Sequence, residues 1–285
     1  MYTRPGPTIS FEFFPPKNDE AEEALFRETV PGLKRLNPAF ISVTYGAGGG
    51  TRERSFRIVD RLRKQHDIEA MAHLTCVGAT RADSAGILDE AESLGIGNIL
   101  ALRGDPPKGQ AAFTPTAGGF GYAVDLIRFI RERGGFSIGA AGYPEGHVEC
   151  PDKLLDWDRS AQKVEAGAEF LITQLFYDLD DFLAYEDYLR HKRHVKVPIV
   201  PGILPFLNAE QIRRFTRLCG SRLPDAVVRR MDALNDDESV RRLGVEVCTE
   251  LCRRLLAHGV PGIHFYCLNR VPSCTEVLQN LGLAT

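Results

Sequence analysis

Short runs rich in β-branched and aromatic residues recur along the chain: "TISFEFF", "FISVTYG", "EAMAHLTC", "NILALRGD", "SIGAAGYPE", "FLITQLFY", "VPIVPGIL" and "GIHFYCLN". Between them, apolar residues keep helical spacing, as with Leu25, Val30 and Leu33 after the first run and Phe182, Tyr185 and Leu189 after the sixth. A period near two that gives way to one near 3.6 predicts strands alternating with helices. Such units join through right-handed crossovers into a parallel sheet. Eight of them, at roughly 30 residues each, fit a closed (β/α)8 barrel. The longer gap before the last run predicts extra helices between strands 7 and 8, one starting at Asn208 and another after Pro224. No linker or low-complexity tract interrupts the pattern, so residues 1–285 read as a single barrel domain.

Alternation along "SFEFFPPK" puts Phe11 and Phe13 on one face of the first strand and Ser10, Glu12 and Phe14 on the other. Pro15 and Pro16 cannot donate to a ladder and end the strand. In a barrel the phenylalanines then pack outward under helices and Glu12 points inward at the C-terminal end, where active sites of this fold lie. Partly apolar surroundings there predict a raised Glu12 pKa. Further polar residues gather at the matching strand ends: Thr44 and Tyr45, His73 and Thr75, Arg103 and Asp105, then Tyr143, Glu145 and His147, Gln174, and finally Tyr266, Asn269 and Arg270.

Composition narrows the class. A chain of 285 residues, 44% hydrophobic and with a net charge of -3, has material for a large core and no excess of basic charge to bind nucleic acid. Arg52, Arg54, Arg57, Arg61 and Arg63 alternate with acids and apolar residues and read as a solvated helix face. No apolar run approaches the roughly 20 residues of a membrane span. The first strand begins near Thr8, which leaves no room for a secretory leader, so a cytoplasmic location is expected. Seven scattered cysteines suit reduced thiols, with Cys248 and Cys252 in the core. His73 and Cys76 of "HLTC" lack a second pair, so no metal site is expected.

Three stretches carry candidate binding chemistry. "YGAGGGTRE" sets Gly46, Gly48, Gly49 and Gly50 between a strand and a helix, as a flexible loop or a phosphate cradle. It departs from a dinucleotide fingerprint at Thr51. The helix in "PDKLLDWDRSAQKVEAGA" gathers Asp156, Arg159 and Lys163 on one face, with Leu154, Leu155, Ala161 and Val164 as the expected buried stripe. "LNAEQIRRF" reads as Asn208 capping a helix with Gln211 three residues on, and Phe215 follows one turn later.

Taken in order, "SFEFFPPK", "VTYGAGGGTR", "AHLTC", "LALRGDPP", "GYPEGH", "LITQLFY", "VPGILP" and "HFYCLNR" resemble the methylenetetrahydrofolate reductase family over essentially the whole chain. The resemblance implies a barrel that binds FAD and reduces 5,10-methylenetetrahydrofolate to 5-methyltetrahydrofolate with NAD(P)H by a ping-pong route, supplying a methyl group for methionine synthesis. It implies that Glu12 protonates the folate and that Asp105, kept ionised beside Arg103, lies near flavin and folate. Gln174 would contact the pterin. Thr44, His73, Arg103, Gly104, Asp105, Tyr122, Ala123, Tyr143, His147, Asp156, Arg159 and Lys163 fall at FAD positions. Tyr266 and Arg270 fall toward folate, and Gln211 with Phe215 on a helix over the nicotinamide or folate. With the chain ending at Thr285, the regulatory domain of larger members, which binds S-adenosylmethionine, is expected to be absent. Two other readings fit the same barrel: a pterin-dependent methyltransferase, and a folate-binding subunit that needs an electron-donating partner. Assembly into a homo-oligomer stays open.

Overall fold

The computed structural model describes residues 6–284 except 46–50, 107, 108 and 111. The glycines of "YGAGGG" from 46 to 50 therefore lie outside the described residues, and the phosphate-cradle expectation with them. Strand alternates with helix from β1 (Thr8–Phe13) through β2 (Phe40–Val43), β3 (Ala70–Thr75), β4 (Asn98–Leu102), β5 (Ser137–Gly142) and β6 (Phe170–Thr173). The seventh run forms two short strands, β7 (Ile199–Val200) and β8 (Gly202–Ile203), and β9 (Gly262–Tyr266) is the last. All pairings are parallel, in the order β7-β6-β5-β4-β3-β2-β1-β9-β8. The two ends of this order are joined by the chain itself at Pro201, which has no N–H for a ladder. The predicted eight-run barrel thus closes through a seventh run that changes partner midway.

Helices α1 (Asp19–Ala24) and α2 (Val30–Arg35) are separated by a π turn, and α3 (Arg52–His66), α4 (Arg81–Ser93), α5 (Ala123–Arg133), α6 (Lys153–Glu165) and α7 (Leu179–Asp187) follow their strands. The long gap holds α8 (Ala209–Cys219), α9 (Asp225–Asp232) and α10 (Asp237–His258), and α11 (Pro272–Asn280) follows β9. The extra helices begin where expected. Asn208 caps α8 by accepting from the Gln211 N–H at 2.8 Å, and Pro224 precedes α9.

Strand alternation produces two cores. Phe11, Phe13, Ile41, Val43, Ile138 and Phe265 pack outward against helix residues such as Val30, Leu33, Phe56 and Leu126. Inside the barrel, Phe40, Met71, Leu100, Phe170, Ile172 and Val200 fill the floor. Gly139 makes room there, because a Cβ at this position would stand 2.5 Å from the Phe170 ring. The wide aromatics therefore plug the lower half of the barrel and leave its upper end open.

Two expectations are corrected. Leu154 and Leu155 are exposed, and the inner stripe of α6 is Asp156, Trp157, Ser160 and Ala161. Trp157 anchors that register by donating Nε1–H to the Tyr143 carbonyl at 3.1 Å, which brings Asp156 inward. Nor is the arginine face of α3 simply solvated. Arg54, Arg57 and Arg61 all converge on Glu22 of α1, whose side chain is 2% exposed, and Arg61 also lies 3.9 Å from the Phe26 ring centroid.

Candidate active site

The C-terminal ends of the strands open into two connected cavities. One, of about 340 Å³, lies over the barrel axis and is lined by Glu12, Thr44, His73, Arg103, Gly104, Asp105, Tyr143, His147, Gln174, Phe215 and Tyr266 among others. The second, of about 490 Å³, runs sideways over α5 and α6 and is lined by Arg103, Tyr122, Ala123, Val124, Tyr143, His147, Asp156, Arg159 and Lys163. Arg103, Tyr143 and His147 line both. Of the candidate residues, Gln211 and Arg270 line neither, and of the strand-end polar groups Tyr45, Thr75, Glu145 and Asn269 do not either. Gln211 turns back to accept the Leu207 N–H at 3.2 Å, and Arg270 is exposed beyond β9.

Glu12 sits at the bottom of the axial cavity. Register places it opposite Ser42 on β2 and Tyr266 on β9, and its neighbours of like parity, Ser10 and His264, face one another one layer down. Its Oε2 lies 3.4 Å from His73 Nε2, 3.6 Å from His264 Nε2 and 3.4 Å from Ser42 Oγ. Burial pushes the Glu12 carboxyl up, but His73, His264 and Ser42 together outweigh it and hold the group below its ordinary value. This reverses the expected direction, which rested on the apolar neighbours in sequence. Burial lowers His73, and Glu12 only partly offsets that. Tyr266 contributes its ring to the cavity wall, since its hydroxyl donates to the Thr173 carbonyl at 2.8 Å.

At the junction of the cavities, Gly104 holds a left-handed turn with φ of 86°, and a side chain there would meet Val77 at 2.6 Å. The turn carries Asp105 to the exposed rim. Arg103 ion-pairs with Glu149 at 2.5 Å rather than with Asp105, and packs over Phe113 at 5.0 Å, which corrects the expected pairing. Its Nη2 is buried with no hydrogen-bond partner among the described residues, and Asp156 Oδ2 is in the same condition.

The side cavity is rich in cations and rings. Lys163 Nζ donates to the Ala141 carbonyl at 2.9 Å and stands 5.5 Å from the Tyr143 ring centroid, while Arg159 lies 5.7 Å from that of Tyr122. Burial lowers Lys163 to about 8, with Asp156 opposing. Burial raises Asp156, with Lys163 and His147 opposing. Over the axial cavity, α8 contributes Phe215, Leu218 and Cys219 as a partial roof.

Sequence reasoning missed His264, Ser42 and Glu149. For His264 a signal existed, because it stands two residues before Tyr266 on one strand and so shares its face. Glu149 could not be read, because its role depends on how the loop after β5 folds back toward Arg103.

Residues 3–282 match the family model for methylenetetrahydrofolate reductase. Among curated relatives, 5,10-methylenetetrahydrofolate reductase of Escherichia coli (strain K12) is 36% identical, over 96% of this chain and 90% of its own length. Methylenetetrahydrofolate reductase (NADH) 1 of Arabidopsis thaliana is 39% identical over 99% of this chain. The chain spans 49% of that plant protein, about half its length. Among solved structures, an uncharacterized Clostridium thermocellum protein that binds two copies of 5-methyl-5,6,7,8-tetrahydrofolic acid aligns with a TM-score of 0.65 at 16% identity, covering 98% of this chain and 94% of its own. Dihydropteroate synthase of Xanthomonas albilineans, with 4-aminobenzoic acid, aligns at 0.53 and 14% identity over 98% of this chain and 93% of its own. These structural likenesses concern the fold.

Proposed function

The chain belongs to the methylenetetrahydrofolate reductase family, and from that membership we propose that it reduces 5,10-methylenetetrahydrofolate to 5-methyltetrahydrofolate, drawing electrons from NAD(P)H through FAD. The observation that carries this reading is Glu12: one carboxyl at the floor of a barrel mouth, faced by two imidazoles, beneath a cavity that continues into a cationic side chamber.

The residues present fit FAD. Two buried polar atoms without partners among the described residues, Arg103 Nη2 and Asp156 Oδ2, border the side cavity, and both ask for a polar ligand. Arg159 and Lys163 supply charge for a pyrophosphate, and Tyr122 is an exposed ring against which a flat group can pack. Thr44, His73, Gly104, Ala123, Tyr143 and His147 would complete the proposed holding set. Held there, FAD would supply hydride transfer between the two substrates. A single mouth roofed by Phe215 gives the two substrates one shared place, which supports alternating, ping-pong binding.

Glu12 is the proposed proton donor. The methylene bridge opens when one amine nitrogen of the folate takes a proton and its C–N bond breaks with the electron pair left on that nitrogen. The carbon is then a reactive iminium. A folate seated over the mouth excludes water from Glu12 and so adds to the burial that raises its pKa. Gln174 is proposed to hold the pterin edge, and Asp105 at the rim to orient flavin and folate. The product feeds methionine synthesis in this reading.

The test is the visible spectrum of the purified protein. Bound oxidised flavin, bleached anaerobically by NAD(P)H and recoloured by methylenetetrahydrofolate, supports the reading. Colourless protein that takes up no added FAD overturns it.

A further inference from the structure

Below Glu12 lies a second pair of polar groups that the proposed reaction does not use. His264 is fully buried on β9, stacked on Phe40 with ring centroids 5.9 Å apart, and its Nδ1 is 2.8 Å from Ser10 Oγ. Ser10 is also fully buried, and this imidazole is the one hydrogen-bond partner of its hydroxyl among the described residues. A buried hydroxyl with one partner, an imidazole nitrogen, is best satisfied by donating to that nitrogen's lone pair. The opposite arrangement, Nδ1–H donating to Ser10, leaves the hydroxyl proton without an acceptor. It also turns the Nε2 lone pair toward the lone pairs of the Glu12 carboxyl. With Ser10 as donor, the ring proton is on Nε2, and Nε2 is the atom 3.6 Å from Glu12 Oε2. That nitrogen is buried and has no hydrogen-bond partner among the described residues.

A donor facing a carboxyl favours its charged form, the form left behind once Glu12 has given its proton. We propose that His264 is a positioning residue for proton donation by Glu12: Ser10 fixes its tautomer, and its Nε2–H holds the carboxylate that remains once the proton has moved to the folate amine. The inference rests on the proposed reaction. In that step the Glu12 O–H proton goes to the amine nitrogen, the carbon–nitrogen bond breaks onto that nitrogen, and a carboxylate and an iminium result. His264 neither gains nor loses a proton. It makes the carboxylate less costly in a place that water reaches poorly, alongside Ser42 from β2 and His73 from β3.

The prediction concerns pH, so the groups around the carboxyl matter. The titratable side chains facing Glu12 are His73 from β3, His264 and Tyr266 from β9 and Cys219 from α8, with the Cys267 thiol donating to its carbonyl at 3.1 Å. Those facing His264 are Glu12, His73 and Tyr266, whose ring meets the imidazole edge-on with centroids 5.4 Å apart. Of these, His264 alone is tied to Ser10, so Ser10→Ala acts on the carboxyl only through His264.

The experiment is stopped-flow reoxidation of the NAD(P)H-reduced holoenzyme by methylenetetrahydrofolate between about pH 4 and 9, on the wild type, His264→Phe and Ser10→Ala. Proton donation needs protonated Glu12, so the rate falls as pH rises through its pKa. Loss of a donor to the carboxylate moves that fall to higher pH, by about one unit in His264→Phe and by less, in the same direction, in Ser10→Ala. Bleaching by NAD(P)H reports that the variants are folded and loaded, and where His264→Phe does not fold, Ser10→Ala decides. Variants that lose rate uniformly with the wild-type pH limb unmoved overturn the inference and make His264 a packing residue. A wild type whose reduced flavin is not reoxidised by the folate overturns the proposed reaction itself, and this inference with it.

Discussion

Glu145 Oε1 accepts the Arg222 N–H at 3.1 Å, tying the loop after β5 to the turn that follows α8. Arg222 also bonds Asp178 at 3.1 Å and Asp181 at 2.9 Å, and Lys153 reaches Asp181 at 3.2 Å. The network closes just outside Gly220, whose φ of 74° ends α8. The helix that roofs the cavity is therefore fixed at its C-terminal end by charge.

That contact has a pH signature. Burial raises Glu145 to about 7 from an ordinary 4.5, with the Arg222 N–H opposing. Between those values the folded chain keeps a proton that the unfolded chain has released, so this group's contribution to stability falls as pH rises through the window. Glu145→Gln keeps the acceptor for Arg222 and removes the titration. Thermal midpoints measured from pH 4.5 to 7.5 will show the variant gaining on the wild type as pH rises, and a constant difference would refute the assignment.

Glu12→Gln separates the two half-reactions. The variant keeps a polar side chain of the same size and loses the proton it must give, so reduction of the flavin by NAD(P)H proceeds within a few-fold of wild type. Reoxidation by methylenetetrahydrofolate falls by at least about a hundredfold, the lower end of what a positioned acid contributes. Equal slowing of both half-reactions in rapid-mixing traces would assign Glu12 a structural role instead.

Lys163→Met tests the side chamber. It keeps the aliphatic contact with Tyr143 and deletes the charge, and flavin affinity falls at least about tenfold, equivalent to about 1.4 kcal/mol. Burial holds Lys163 near 8, so wild-type affinity declines as pH rises through that value while the variant's does not. Flavin fluorescence on dilution measures both. A parallel pH dependence in the two proteins would remove Lys163 from the cofactor site.

Glu22 predicts a stability effect remote from catalysis. Its carboxylate accepts from Arg54 at 2.8 Å, from Arg57 at 2.6 Å and from Arg61 at 3.1 Å. Burial raises its pKa, but those hydrogen bonds prevail and hold it below the ordinary value. Glu22→Ala leaves the three guanidinium groups to the exposed carboxylates of Asp19 and Glu23. Because they are partly solvated, the cost is about 2 kcal/mol, below the range for a fully buried pair. Urea unfolding gives the value, and flavin reduction in the folded variant stays unchanged.

How much of this was legible in sequence depended on whether a feature is local. The strand at Thr8–Phe13, the inward turn of Glu12 and the helix caps at Asn208 and Pro224 follow from short-range alternation and backbone chemistry, and the structure agrees with them. Hydrophobicity does not mark the inner face of α6, because that side of the helix borders a polar cavity and buries Asp156 and Ser160. The Glu12 pKa likewise depends on groups that are distant in the chain. Phe11 and Phe13 neighbour it in the chain, but they point away, and the groups that face it, His73 and His264, arrive from other strands. Arg103 found Glu149, not Asp105, because the loop after β5 folds back toward it.

The break at Pro201 reaches beyond barrel closure. Above it the wall next to β6 is held by side chains: the Gly202 N–H donates to Thr173 Oγ1 at 2.9 Å, and the Tyr266 hydroxyl crosses to the Thr173 carbonyl. A wall built from a ladder can change shape only by losing backbone bonds, whereas one built from side chains can be redrawn by substitution. Gln174 follows directly on this seam, so the fold offers evolution a place to widen or narrow the substrate mouth residue by residue, with the rest of the barrel left as it is.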